Sequence, residues 1–265
     1  MKYVAFLDIL GFKNIMKTLS QENAINYITD FSALVYSVFQ KNYDNVKGHI
    51  VSDSVILYTN DSKDKSLISL IEIVNEICQM EFSVHGILIR GAIAKGEFDR
   101  IPAQGLSNLQ KNLIVGQAYI EAYLLENTVK NIGISITREV YQDLENVDFN
   151  ADITEEKIAN EIHYIFRYIT SDFLLKKDNL RQFVKLAQKS NWLPHYYNTI
   201  YFALKKEDNN KKVEQIFDNI QSLVCEDNPN ENWRKLDLYI KNSFAVDVID
   251  EYKTRFLRHI RTRLF

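Results

Sequence analysis

The stretch Tyr3-Val4-Ala5-Phe6-Leu7-Asp8-Ile9-Leu10-Gly11-Phe12 decides how the rest of the chain is read. Tyr3 to Leu7 is an apolar run with β-formers, the pattern of a buried strand. It ends on Asp8, and Gly11 breaks it. A second stretch answers it. His49 to Thr59 reads as two strands meeting near Ser52-Asp53-Ser54, a tight hairpin with an acid at its tip. Between and beyond these lie helices. Ile25, Ile28, Phe31, Val35 and Val38 have helical spacing within Glu22 to Phe39, as do Leu67, Leu70, Ile71, Val74 and Cys78 within Ser66 to Met80. Gly86 to Gly96 reads as an Ile-rich strand, Val115 to Glu126 as a helix and Ile132 to Thr137 as a strand leading into a short helix around Val140-Tyr141. The order is β-α-β-β-α-β-α-β. Its first six elements match the split βαβ, ferredoxin-like pattern. The expected fold class is therefore α+β: a βαββαβ core with an antiparallel sheet and helices on one face. In it, the end of the first strand and the tip of the central hairpin are neighbours.

Composition sets the frame. The chain has 265 residues, enough for one large or two smaller cores, and 46% of them are apolar. With 8 Gly and 3 Pro it is neither a disordered chain nor a turn-rich all-β protein. A net charge of −3 speaks against a general nucleic-acid-binding role. Cys78 and Cys225 lack metal-ligand spacing and make no disulfide framework, which fits a reducing compartment. No apolar run approaches a membrane span and the start of the chain is no signal peptide, so a soluble cytoplasmic protein is expected. The composition shifts near residue 150, which divides the chain into a domain over 1–150 and a region over 151–265. The latter holds a connecting segment and mainly helical stretches at 175–223 and 231–263, separated by Asp227-Asn228-Pro229-Asn230.

Asp8 and Asp53 carry the chemistry. Either one alone is ordinarily a cap or turn residue. Held together, two carboxylates repel, and a divalent cation relieves that repulsion while gaining oxygen ligands. Two such ions could clamp the attacking and leaving oxygens of a phosphoryl transfer. Ile9, Leu10, Gly11 and Phe12 would then offer backbone N–H groups to a triphosphate at a helix N-terminus.

These residues resemble a family. Phe6 to Phe12 looks like the first metal motif of class III nucleotidyl cyclases, and Ser52-Asp53-Ser54-Val55 like the second. Arg90-Gly91-Ala92-Ile93-Ala94-Lys95-Gly96 resembles the following strand, Gly116 to Glu126 the helix with the family's Gly…Ala…Leu-Glu pattern, and Ile134 to Leu144 the next strand and its trailing Tyr…Leu. The resemblance covers roughly residues 3–145. It implies that Asp8, the backbone carbonyl of Ile9, and Asp53 bind two Mg²⁺ or Mn²⁺ ions. It also implies a homodimer, a nucleoside triphosphate substrate, and attack of a ribose 3′-oxygen on the α-phosphate to give a 3′,5′-cyclic nucleotide and pyrophosphate.

The chain departs from the family at four positions. His49 stands where purine cyclases carry a base-reading Lys, and Leu113 where they carry an acidic or polar partner. Ile120 and Leu124, on one helical face, replace an Asn and an Arg that serve the ribose and the transition state. Arg90 is the cation within reach of a phosphate, and Arg167 a substitute for the family's late Lys. Arg90-Gly-Ala-Ile with Gly116-Gln-Ala-Tyr, Ala122 and Leu125-Glu126 looks closest to the divergent bacterial branch that includes the pyrimidine cyclases of Pycsar antiphage systems. That branch implies UTP or CTP as substrate and an antiphage alarm signal as product; Tyr58 and Tyr43 are candidate stacking partners for the base.

Other stretches read as packing or solvated surface. Arg255, Arg258, Arg261 and Arg263 read as an exposed helix face with a buried apolar side, ahead of a stripe for phosphates or an anionic surface. His195 has no catalytic partner, and His85, His163 and His259 form no ligand cluster. The competing reading is a cyclase-like module that binds nucleotide or a partner without turnover, which Ile120 and Leu124 favour. A palm-type polymerase or diguanylate cyclase relative shares the same core but would carry a GGDEF-like hairpin.

Overall fold

The computed structural model describes residues 1–41, 44–101, 113–147, 149, 151–158, 161–190, 194–204, 207 and 209–225. The described residues divide into two compact units: Met1–Val129 with Ile134–Ala151, and Lys130–Gly133 with those from Asp152 onward. Tyr43, the arginines from Arg255 to Arg263, His259 and the helix expected over 231–263 lie outside the described residues.

The first unit runs β1 (Lys2–Ile9), α1 (Phe12–Thr18), α2 (Gln21–Phe39), β2 (Val46–Val51), β3 (Ser54–Thr59), α3 (Asp64–His85), β4 (Ile89–Gly96), β5 (Asp99–Ile101), β6 (Leu113–Val115), α4 (Gln117–Glu126), β7 (Ile134–Ile136) and α5 (Arg138–Asn146). Its sheet has the order β2-β3-β1-β4-β7. The first four strands pair antiparallel, as the split βαβ pattern requires, and β7 adds parallel to β4. The β2–β3 turn is two residues, Ser52 and Asp53. Ser52 takes φ 58, the positive φ that a two-residue hairpin needs.

Both faces of this sheet are covered, which corrects the expectation of helices on one face. Alternation in β1 sends Val4 and Phe6 to one side and Ala5 and Leu7 to the other. Val4, Phe6, Ile56, Tyr58, Ala92 and Ala94 form a core with Ala118 and Ala122 of α4. Small residues on α4 let it sit close to the strands. The opposite face packs under α3, which contacts β1, β3 and β4 and pairs with α2. Residues of α3 such as Leu67, Leu70, Ile77 and Phe82 are wholly buried there. Cys78, also on α3, is a free and fully buried thiol whose ionisation burial pushes upward. Gly91 sits where β4 crosses β1: a Cβ there would lie 2.4 Å from the Phe6 carbonyl oxygen.

Where a continuous helix was expected from Val115, the chain makes a short ribbon of β5 and β6 and then α4. The second unit also begins with unexpected strands, a hairpin of β8 (Ile153–Ile158) and β9 (Glu161–Phe166). Then come α6 (Ser171–Leu175), α7 (Lys177–Lys189), α8 (Pro194–Leu204) and α9 (Asn210–Cys225). No helix among the described residues is long and apolar enough to cross a membrane.

Candidate active site

The site residues on the sheet are set by strand register. Asp8 is the residue of β1 opposite Ser54 on β3 and, on its other side, opposite Arg90 on β4. All three share the face of Phe6, Ile56 and Ala92, since residues two apart on a strand point the same way. The hairpin tip then folds against the end of β1: Ile9 donates its N–H to the Asp53 carbonyl at 3.2 Å. Sequence order thus places the Asp8 and Asp53 residues side by side at one end of the sheet.

The hydrogen bonds at Asp8 are few and directed. Ser54 Oγ donates to Oδ1 at 3.1 Å, and an Arg90 terminal nitrogen reaches Oδ2 at 3.5 Å. Arg90 in turn places its Nε 2.5 Å from Glu126 Oε1, at the last residue of α4. Burial raises the Asp8 pKa, and the Asp53 charge raises it further. Arg90 and Ser54 act in the opposite direction. Burial also pushes Glu126 up to about 7, against the pull of Arg90 and with the repulsion of Asp8. Arg90 therefore serves two acids, Asp8 and Glu126, and the Asp53 charge still acts on Asp8. Tyr27 of α2 lies in the field of Asp53 and Glu81; burial first, and those two charges next, raise its hydroxyl pKa.

Among the described residues no three His, Cys, Asp or Glu side chains gather as a metal group. Mg²⁺ takes only one or two protein carboxylates and fills its shell with water and phosphate oxygens, and Asp8 with Asp53 supplies that number.

The expected phosphate turn is partly spent. Ile9 gives its N–H to Asp53, and Leu10 gives its N–H to the Leu88 carbonyl at 2.8 Å. Among the described residues, Gly11 and Phe12 are left as the donors of the turn. Gly11 caps α1 with φ 79 and ψ 11, a left-handed conformation that glycine adopts without strain.

No protein-family model matches the chain, and no curated protein matches it. Solved structures do. The adenylyl cyclase CyaB from P. aeruginosa aligns with a TM-score of 0.49 and 16% identity, over 62% of this chain and 92% of that one. The guanylate cyclase domain of RhGC from Catenaria anguillulae, in complex with GTP, gives 0.49 and 16%, over 62% and 94%. A bacterial light-regulated adenylyl cyclase gives 0.47 and 13%, over 68% and 96%. At that level of likeness no residue role passes from them to this chain.

The remaining residues singled out from the sequence divide. His49, on β2 opposite Ile56, stacks on Tyr58 with centroids 5.8 Å apart. Its Nε2 is buried without a hydrogen-bond partner. Burial, and then the Arg100 charge, lower its pKa, which favours the neutral imidazole. A cavity of about 450 Å³ borders it, with Lys47, Gly48, Tyr58 and Arg100 among its walls. Leu113 is on β6, opposite Ile101 and 46% exposed. Ile120 and Leu124 lie on the outer side of α4, 57% and 63% exposed, away from the core that Ala118 and Ala122 enter. Arg167 belongs to the second unit, where it is buried and bound to Asp152 and to the Phe202 carbonyl.

Sequence reading missed Ser54 and Glu126 as site residues. Ser54 was visible as the residue after Asp53, but its partner depends on register. Glu126 carried one signal, an acid at the end of the apolar Tyr123-Leu124-Leu125 run.

Proposed function

We propose that this protein is a divalent-metal-dependent nucleotidyl cyclase of the divergent class III type. The observation that carries the reading is the register that puts Asp8, Ser54 and Arg90 on one rung, with Asp53 at the adjoining turn. The motif resemblance of Phe6–Phe12 and Ser52–Val55 supports it. Asp8 and Asp53 would hold one or two Mg²⁺ or Mn²⁺ ions, with the Ile9 carbonyl as a further oxygen. Bound there, the ions supply charge neutralisation at the attacking and leaving oxygens. Arg90 would steady a phosphate from the same edge, and the N–H groups of Gly11 and Phe12 would receive the triphosphate. The reaction is displacement at the α-phosphorus by the ribose 3′-oxygen, with pyrophosphate leaving.

His49 supports a pyrimidine. An imidazole with a buried Nε2 that has no partner among the described residues offers one hydrogen bond to a base edge. Leu113 offers shape only. A site with so few matched groups suits UTP or CTP better than a purine, and Tyr58, already stacked on His49, would flank the ring.

The outer face of α4, with Ile120, Tyr123 and Leu124 exposed, is assigned in the same reading to a second copy of the chain. A second reading takes its support from the same residues. With Ile120 and Leu124 apolar, α4 brings no polar group to a ribose, and the domain would bind nucleotide or a partner without turnover. Incubation with each of the four nucleoside triphosphates and Mn²⁺, with products resolved by mass, separates the two. A cyclic nucleotide from UTP or CTP is the expected product. Preference for ATP or GTP refutes the pyrimidine assignment, and no cyclic product from any of the four favours the non-catalytic module.

A further inference from the structure

Arg90 stands between two carboxylates and treats them unequally. Its Nε lies 2.5 Å from Glu126 Oε1, whereas its terminal nitrogen reaches Asp8 Oδ2 only at 3.5 Å. The short contact is the buried one: the Glu126 side chain is 2% exposed and that of Asp8 19%. Arg90 and Glu126 thus form a buried ion pair.

A guanidinium beside a free carboxylate tends to close into a two-bond fork. On Asp8 such a fork would take both oxygens that a divalent ion needs. It has not formed here. Ser54 holds Oδ1 and Arg90 approaches Oδ2 from a distance, its ε-nitrogen kept at the end of α4. We propose that Glu126 is a positioning residue that holds Arg90 back from Asp8, so that the Asp8 carboxylate stays open to a divalent cation. The proposal rests on the metal-dependent reading above. Loss of the Glu126 charge distinguishes this role from that of a merely structural ion pair: Arg90 is released toward Asp8 and competes with the cation.

The test is Mn²⁺ binding to the full chain without nucleotide, followed by the electron paramagnetic resonance of the free ion. Glu126→Gln should bind Mn²⁺ roughly tenfold more weakly, the equivalent of one added charged contact on Asp8. The double variant Glu126→Gln/Arg90→Gln should recover wild-type affinity, a rescue that a loss of folding stability would not give. Arg90→Gln alone should bind at least as tightly as wild type, and it keeps the proposal testable if Glu126→Gln does not fold. Unchanged affinity in folded Glu126→Gln, no recovery in the double variant, or weaker binding by Arg90→Gln overturns the proposal. Asp53→Asn, measured alongside, tells the two failures apart. If wild-type binding is absent or indifferent to Asp53, the metal reading falls and takes the proposal with it. If binding depends on Asp53 but not on Glu126, the proposal alone falls.

Discussion

The two helices that cover opposite faces of the first sheet are built on different principles. α3 runs 22 residues and buries Leu67, Leu70, Ile73, Val74, Ile77 and Phe82 completely. Its apolar stripe is its core contact, and its outer face is polar. α4 runs ten residues and buries Ala118, Ala122 and Glu126. Ile120 and Leu124 face outward, and Tyr123, half exposed, sets its ring edge-on to Phe6. Both helices end near a buried glutamate pushed up to about 7 by desolvation: Glu81, 2.9 Å from His85 Nδ1, and Glu126 beside Arg90. The lesson is that α3 stabilises the sheet with a long stripe of large apolar side chains, while α4 closes on it through Ala118 and Ala122, with Tyr119 and Leu125 packed beside them. Ile120 and Leu124 of α4 stay exposed, and its terminal acid meets Arg90 beside Asp8.

Truncation tests the contrast most strongly. Phe82→Ala on α3 should cost about 3–5 kcal/mol, the range for emptying a buried aromatic site. Leu124→Ala on α4 should stay within about 0.5 kcal/mol, as exposed substitutions do. Urea unfolding of the two variants measures both. Equal losses would mean that α4 is core after all.

Next in size is the pH dependence of the α3 glutamate. Glu81 ionises near 4.5 in the unfolded chain and near 7 in the folded one. Over that window the folded state holds the extra proton, so stability falls as pH rises. The contribution is fully present below about 4.5 and lost by about 7, a change on the order of 3 kcal/mol. Glu81→Gln should flatten this part of the stability profile. A wild-type profile that rises between pH 5 and 7, with Glu81→Gln unchanged from it, would contradict the assignment.

The smallest effect on stability should accompany a change in assembly. Leu124→Arg places a charge on the outer face of α4, where it leaves the monomer within about 0.5 kcal/mol. Sedimentation should show it shifted toward monomer relative to wild type. A wild-type chain that is monomeric at high micromolar concentration with nucleotide and metal would remove the second copy from the account.

What could be read from the sequence came from periodicity. β1, the β2–β3 hairpin, α2, α3 and β4 all carry clean apolar spacing, and with them came the neighbourhood of Asp8 and Asp53. Three things had no such signal. β5 and β6 are three residues each, too short for alternation to register. β8 inverts the usual pattern: Thr154 and Glu156 are its buried side, with Thr154 Oγ1 donating to Glu156 Oε1 at 2.8 Å, while Glu155 and Lys157 are exposed. The side of the sheet that α4 covers was also hidden, because Gln117 to Glu126 has apolar residues all round and the residues it buries deepest are alanines. The same ambiguity hid Glu126. A single acid in an apolar helix declares its partner only when the register of β4 is known.

The central claim is that the edge formed by Asp8 and Asp53 turns over a nucleoside triphosphate even though the outer face of α4 is apolar. The most direct test is the rate of cyclic-nucleotide formation by wild type and Asp53→Asn, each given the four triphosphates and Mn²⁺. Asp53→Asn keeps its backbone carbonyl on Ile9 and so should keep the fold, with its melting transition near that of wild type. The account predicts a cyclic pyrimidine nucleotide from wild type and a rate lower by roughly a thousandfold or more from Asp53→Asn. Equal rates in the two proteins, or no cyclic product from wild type with any triphosphate, would contradict it.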